Sequence, residues 1–186
     1  MTNTPKILDV LIVGSGPSGL ILAKLFAKTS LSFKVYERNR EVGGIWNIDA
    51  PNSPMYKSAH FISSRTLSGF VGFPMPEDYP DYPSQKQIFS YIKSYADEFD
   101  LRKHITFNTS VDKATQDKDG NWKVVFNNGK QLTTRYLVCA NGVTWQPNMV
   151  NFEGEFNGEI YHSVKYCSTD EFKNNAFLLL VQETQE

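Results

Sequence analysis

The apolar run Val10-Leu-Ile-Val13 meets three glycines, Gly14, Gly16 and Gly19, and this junction constrains the fold more than any other feature of the chain. Leu8 to Val13 has the length and branched-residue content of a buried parallel strand. Ser18 to Lys28 carries apolar residues at the spacing of a helix that packs on a sheet. Gly14 to Gly19 is then the turn between them. Gly14 permits a tight turn, Gly16 admits close approach of a ligand to the main chain because it has no Cβ, and Gly19 lets helix and strand pack closely. With Ser15, Pro17 and Ser18 between the glycines, unpaired N–H groups and the positive end of the helix dipole converge at one point, where a pyrophosphate would bind. A second apolar strand, Phe33 to Tyr36, ends in Glu37, whose carboxylate can accept hydrogen bonds from two ribose hydroxyls. A 2′-phosphate there would meet like charge, which disfavours NADP at this loop. Strand, turn, helix and acid in register separate a dinucleotide cradle from an ordinary strand-turn-helix.

With 186 residues, 40% of them apolar, the chain can build one sizeable core; a domain of this length hides roughly 70% of its unfolded surface. The net charge of -1 arises from 19 basic and 20 acidic residues without a basic tail or like-charge block, so neither nucleic acid nor a membrane surface is expected as a partner. Ala176 to Val181 falls far short of the roughly 20 apolar residues that span a bilayer, and Met1 to Lys6 lacks a signal-peptide pattern. A cytoplasmic protein is the expectation. Cys139 and Cys167 stand far apart and read as buried thiols, and His60, His104 and His162 have no metal-ligand spacing, so no metal site is expected.

The segment Asn47 to Pro83 is rich in proline and offers no regular element of any length. It also carries Tyr56, Phe61, Phe70, Phe73, Tyr79 and Tyr82, which predicts a packed, ligand-covering loop and not a solvated linker. Ser84 with Gln87 forms a capping-box pattern, followed by Ile88, Tyr91, Ile92, Tyr95 and Phe99 at helical spacing. This predicts a helix over 84–99 whose aromatic stripe is core. Ile105 to Phe107, Val111 to Thr115 and Trp122 to Phe126 read as strands, with hairpin turns at Asp119-Gly120 and Asn128-Gly129 giving an antiparallel meander over 111–134. Tyr136 to Ala140 returns as an apolar strand ending in Asn141-Gly142, a second place where backbone could lie close to a ligand. The expected fold class is α/β: a three-layer, Rossmann-like domain with a parallel sheet, helices and a small antiparallel meander insert.

Three motifs make the chain resemble the flavin-containing monooxygenases of class B type. They are Gly14-x-Gly16-x-x-Gly19 with Glu37, then Gly43-Gly44-Ile45-Trp46, then Phe156-x-Gly158-x-x-x-His162-x-x-x-Tyr166, which matches the family signature position by position. The resemblance covers about residues 9–166 and implies two cofactors, FAD and NADPH. It implies that FAD lies with its pyrophosphate on Gly14 to Gly19, its ribose on Glu37 and its isoalloxazine near Ile45, Trp46 and the long loop. The cofactor-binding set it implies is Gly14, Ser15, Gly16, Pro17, Ser18, Gly19, Glu37, Arg38, Gly44, Ile45, Trp46, Phe61, Ile62, Val111, Ala140 and Gly142. The implied partners are O2 and a small-molecule substrate. In the family a C4a-hydroperoxyflavin passes one oxygen to a soft nitrogen or sulfur nucleophile. Alternatives that stay open are an FAD-binding fragment without turnover, a Baeyer-Villiger type enzyme and a related flavoprotein reductase.

Two departures accompany the resemblance. After Tyr56-Lys57-Ser58-Ala59-His60 most members carry Thr-Asn, whereas here Phe61 and Ile62 follow. An isoleucine cannot donate the hydrogen bond implied for that asparagine, so oxygenation would lean on His60, Ser63 or Ser64. The resemblance also implies a second glycine loop for NADPH after about Asn174. One permissible coding string for Phe177 to Glu186 is TTT TTA TTG TTG GTT CAG GAA ACT CAG GAA, which read two bases later gives Phe-Ile-Val-Gly-Ser-Gly-Asn-Ser-Gly. The expectation is an FAD-binding domain over 1–170 and, over 171–186, the start of an NADPH-binding domain whose tail is frameshifted.

Overall fold

The computed structural model describes residues 7–51, 53–144, 147–151, 153–173 and 178. Strands β1 (Leu8–Val13), β2 (Phe33–Tyr36), β3 (Ile105–Thr106), β4 (Val111–Gln116), β5 (Trp122–Phe126) and β6 (Gln131–Cys139) form one sheet in the order β3-β2-β1-β6-β5-β4. β1 lies between β2 and β6 and is parallel to both, and β2 is parallel to β3. β4, β5 and the start of β6 make the antiparallel meander. The continuous apolar run of β1 is explained by burial on both faces: Val10, Leu11 and Ile12 are all at most 2% exposed.

Helix α1 (Pro17–Phe26) begins with proline at its first turn, where the missing N–H costs nothing. It stops short of the expected Lys28 because its end tightens: Lys28 N–H donates to the Leu25 carbonyl and Thr29 N–H to the Phe26 carbonyl, three residues back. Helix α2 (Gln85–Glu98) has the predicted capping box, with Ser84 and Gln87 exchanging side-chain to backbone bonds. Its inner face, Ile88, Tyr91, Ile92, Tyr95 and Ala96, joins Val10, Ile12, Leu20 and Val35 in the main core. Truncating Ile92 or Leu20 to alanine there would cost about 2–5 kcal/mol.

The last limb of the meander and the returning strand, expected as separate elements, are one strand. Thr134 is the joint: it pairs with Trp122 on the antiparallel side and Leu8 on the parallel side, so β6 joins the meander to the parallel strands within one sheet without a break. Its side chain is fully buried, and the hydroxyl lies 3.2 Å from the Asp9 carbonyl and 3.0 Å from that of Tyr136. Tyr36 of β2 and Phe126 of β5 stack with ring centroids 4.2 Å apart although β1 and β6 separate their strands. The meander therefore curls back over the parallel strands and forms the third layer of the α/β fold, opposite the helices.

The long loop is packed, as expected, but much of it packs on α2. Phe70 and Phe73 stack on Tyr91 at 5.2 and 5.5 Å, and the Tyr91 hydroxyl accepts from Phe70 N–H at 2.6 Å while donating to the Phe73 carbonyl. Tyr82 and Tyr56 are exceptions, at 57% and 39% exposed. The cysteines are a correction: Cys139 and Cys167 are both exposed, the first because it stands at the open end of β6, the second because it joins two short 3-10 turns. Among the described residues no helix is long and apolar enough to cross a membrane.

Candidate cofactor site

Each glycine of the first turn has its own steric reason. Gly14 has φ +99°, and a Cβ there would lie 2.6 Å from the Ala140 carbonyl oxygen. At Gly19 a Cβ would lie 2.0 Å from the Gly14 carbonyl oxygen, which is backbone and cannot yield. Gly16 differs: its Cβ would meet the Gly44 backbone at ordinary contact distance, 3.5 Å from Cα and 3.9 Å from N. It is the N-cap residue of α1 and supplies no side-chain cap. With Pro17 lacking an N–H, the first-turn donors of Ser18 and Gly19 are left without helical partners, an arrangement that favours an anion.

Glu37 is 5% exposed and tied into the turn. Its Oε2 accepts from Ser15 N–H at 2.8 Å and from Ser15 Oγ at 2.9 Å, and its Oε1 accepts from Asn39 N–H at 2.9 Å. A carboxylate offers about four acceptor positions, so Glu37 fixes the loop and keeps capacity for a ribose hydroxyl on Oε1. Arg38 follows it with an exposed side chain.

The second motif packs directly against the first. Gly43 and Gly44 have φ of +114° and +58°, and the Gly43 N–H donates to the Ser15 carbonyl at 3.1 Å, joining the two turns. Gly44–Trp46 is a 3-10 turn whose Trp46 ring meets Phe61 edge-on at 5.5 Å. Its supports were not legible as motifs. Ser53 Oγ donates to the Ile45 carbonyl at 2.8 Å, and Gln85 Nε2 donates to the Trp46 carbonyl at 2.6 Å. Glu41, ahead of the turn, accepts from its neighbour Val42 N–H at 2.8 Å and from Arg102 at 2.6 Å, and Arg102 also grips Asp97 at 2.5 Å. Burial opposes the Arg102 charge, but the hydrogen bonds to Glu41 and Asp97 outweigh it and hold its pKa above the ordinary value.

The remaining sequence-predicted residues divide into two groups. Ala140 closes on the first turn, its N–H donating to the Val13 carbonyl at 2.9 Å, and Gly142 follows with φ +78°. Val111 opens β4 two residues after Thr109, whose N–H donates to the Glu37 carbonyl at 2.9 Å, so it lies at the Glu37 end. Ile62, by contrast, is 95% exposed. His60 is exposed, with Nδ1 3.0 Å from the Ser58 carbonyl, and the Ser63 hydroxyl accepts from Ser68 at 2.6 Å.

The third motif receives a local physical account. The Phe156 ring lies over Gly158, where a Cβ would come within 2.5 Å of it. His162 Nδ1 accepts from Val164 N–H at 3.1 Å and caps the 3-10 turn Ser163–Lys165. Tyr166 ends that turn and meets Tyr56 at 5.3 Å, while Lys57 N–H donates to the Cys167 carbonyl at 3.1 Å. The motif is thereby stapled to the start of the long loop. The reading of Phe177 to Glu186 lies outside the described residues except for Leu178, which is 81% exposed.

Residues 8–182 match the family described as Flavin-binding monooxygenase-like. The chain belongs to that family. Human Flavin-containing monooxygenase 1 is 35% identical over 187 residues, covering 92% of this chain and 35% of the human protein. The chain thus spans about a third of the length of the curated relatives it matches. The flavin-containing monooxygenase from Stenotrophomonas maltophilia has a TM-score of 0.77 at 25% identity, over 90% of this chain and 48% of that one. OTEMO, solved in complex with FAD and NADP, gives 0.72 at 26% identity, over 90% of this chain and 32% of its own. The match spans the parallel strands, the two helices and the meander.

Proposed function

We infer that this chain supplies the FAD-holding part of an NADPH- and O2-dependent monooxygenase that oxygenates a soft nitrogen or sulfur nucleophile. One observation carries the reading: the uncapped start of α1, the Gly16 and Gly44 backbones, which pack against each other, and the buried Glu37 are brought together around the Gly14–Gly19 turn. The arrangement suits an adenosine diphosphate because it offers N–H donors at one end and a carboxylate at the other. Ser18 and Gly19 N–H would hold the diphosphate, and Glu37 would accept from the ribose. Val111 would lie beside the adenine, and Ala140 and Gly142 would flank the diphosphate. Gly44, Ile45, Trp46 and Phe61 would line the ring end and exclude water there. When bound, the flavin would supply electron transfer from NADPH and activation of O2.

The test is titration of the purified chain with FAD, followed by flavin fluorescence and visible absorbance. Saturable quenching at one FAD per chain is the expected result; unchanged fluorescence of added FAD in the presence of folded protein contradicts the reading. A second reading, FAD binding without efficient oxygen transfer, is favoured by Ile62, which has no polar hydrogen to offer where the family resemblance puts an asparagine amide.

A further inference from the structure

The geometry points to Gln85 as a positioning residue for the flavin end of the site, acting through the Trp46 carbonyl; this rests on the FAD reading above. Gln85 opens α2, is 5% exposed, and reaches 39 residues back in sequence to donate to Trp46 at 2.6 Å. The turn it holds is weak by itself. Its own bonds, Trp46 N–H to Gly43 and Asn47 N–H to Gly44, are 3.2 and 3.3 Å long, and a 3-10 turn of three residues has poor hydrogen-bond geometry. Two successive carbonyls of this turn are instead fixed from outside, Ile45 by Ser53 and Trp46 by Gln85.

Phe89 stands one helical turn beyond Gln85, and a Cβ on Gly43 would lie 2.7 Å from its ring. The first turns of α2 are therefore the template on which Gly43 to Trp46 is moulded. Gly44 in turn packs directly on Gly16, so the near end of the turn is anchored on the first motif, and a rotated Trp46 peptide would move its far end, the wall that would border the flavin. The adenosine end is shielded from this, because the Gly43 N–H on the Ser15 carbonyl pins the near end of the turn and the Glu37 carboxylate is held by Ser15 and Asn39. Loss of the Gln85 amide should act on one half of the ligand only.

Two probes separate that role from a merely structural one. ADP fills only the adenosine diphosphate half, whereas FAD fills both. In the full chain, Gln85→Leu should raise the FAD Kd about tenfold, as expected for one buried hydrogen bond, while the ADP Kd changes by less than about twofold. The visible band of bound FAD should also change shape. Ser53→Ala, which frees the neighbouring carbonyl, should act in the same direction and carries the test if a thermal melt shows Gln85→Leu unfolded. Equal weakening of ADP and FAD, or an unchanged FAD Kd in the folded variants, overturns the inference and leaves the FAD reading standing. A wild-type chain that binds neither ligand overturns both.

Discussion

The turn at Gly14–Gly19 and the turn at Gly43–Trp46 meet at a backbone bond from Gly43 to Ser15 and at the packing of Gly44 on Gly16, yet they are held in opposite ways. The first is self-contained: Gly19 packs on Gly14, Gly14 N–H donates to Tyr36, and Ser15 is fastened by Glu37. Most of its partners are motif residues or end the adjoining strands. The second borrows its shape from Ser53, Gln85, Phe89 and Arg102, which no motif contains. A cradle can thus have one half specified by local spacing and the other by tertiary packing, and only the former resists change in distant sequence.

The strongest challenge to this contrast is Gly19→Ala. Its Cβ would meet backbone at 2.0 Å, so the first turn must open. A loss on the order of 3 kcal/mol or more is expected, together with loss of FAD binding, read by thermal melt and titration. Gly72→Ala in the long loop is the control: with φ +72° and nothing within 4 Å, it should cost only about 1 kcal/mol. Equal effects would erase the distinction.

Glu37→Gln comes next. The amide has one accepting oxygen for three donors now served by two, and its NH2 would oppose Ser15 or Asn39 N–H. About 2–3 kcal/mol of stability and roughly tenfold in FAD affinity should be lost, measured by denaturant unfolding and fluorescence titration. Tyr91→Phe addresses the packed part of the loop. It removes a hydroxyl that both accepts from Phe70 and donates to Phe73, which should cost about 1–2 kcal/mol while FAD affinity stays within about twofold. Smallest of all is Ile62→Asn: at 95% exposure, it should alter stability by less than about 0.5 kcal/mol and leave the FAD titration unchanged.

The same contrast governs what could be read without coordinates. β1, β2, β5 and the capping box of α2 follow from periodicity and cap chemistry, and they stand where the spacing puts them. The glycine turn was legible because steric need leaves little choice at Gly14 and Gly19. Thr134 hid the unity of β6, since a polar residue between two apolar stretches looks like a break until its buried hydroxyl is seen to be satisfied. Phe70 and Phe73 carry an apolar signal that says buried without saying against what, so their packing on Tyr91 could not be told from packing on a ligand. Gln85 gave no signal at all, because a glutamine at the start of a helix is ordinary and its partner lies 39 residues away.

Amide hydrogen exchange with and without FAD tests the central claim most directly. FAD should slow exchange at Ser18, Gly19 and the Gly43–Trp46 turn, with residues 68–99 unaffected apart from the first turn of α2. Protection that is absent from both glycine turns, or confined to the Phe70–Phe73 region, would contradict the account.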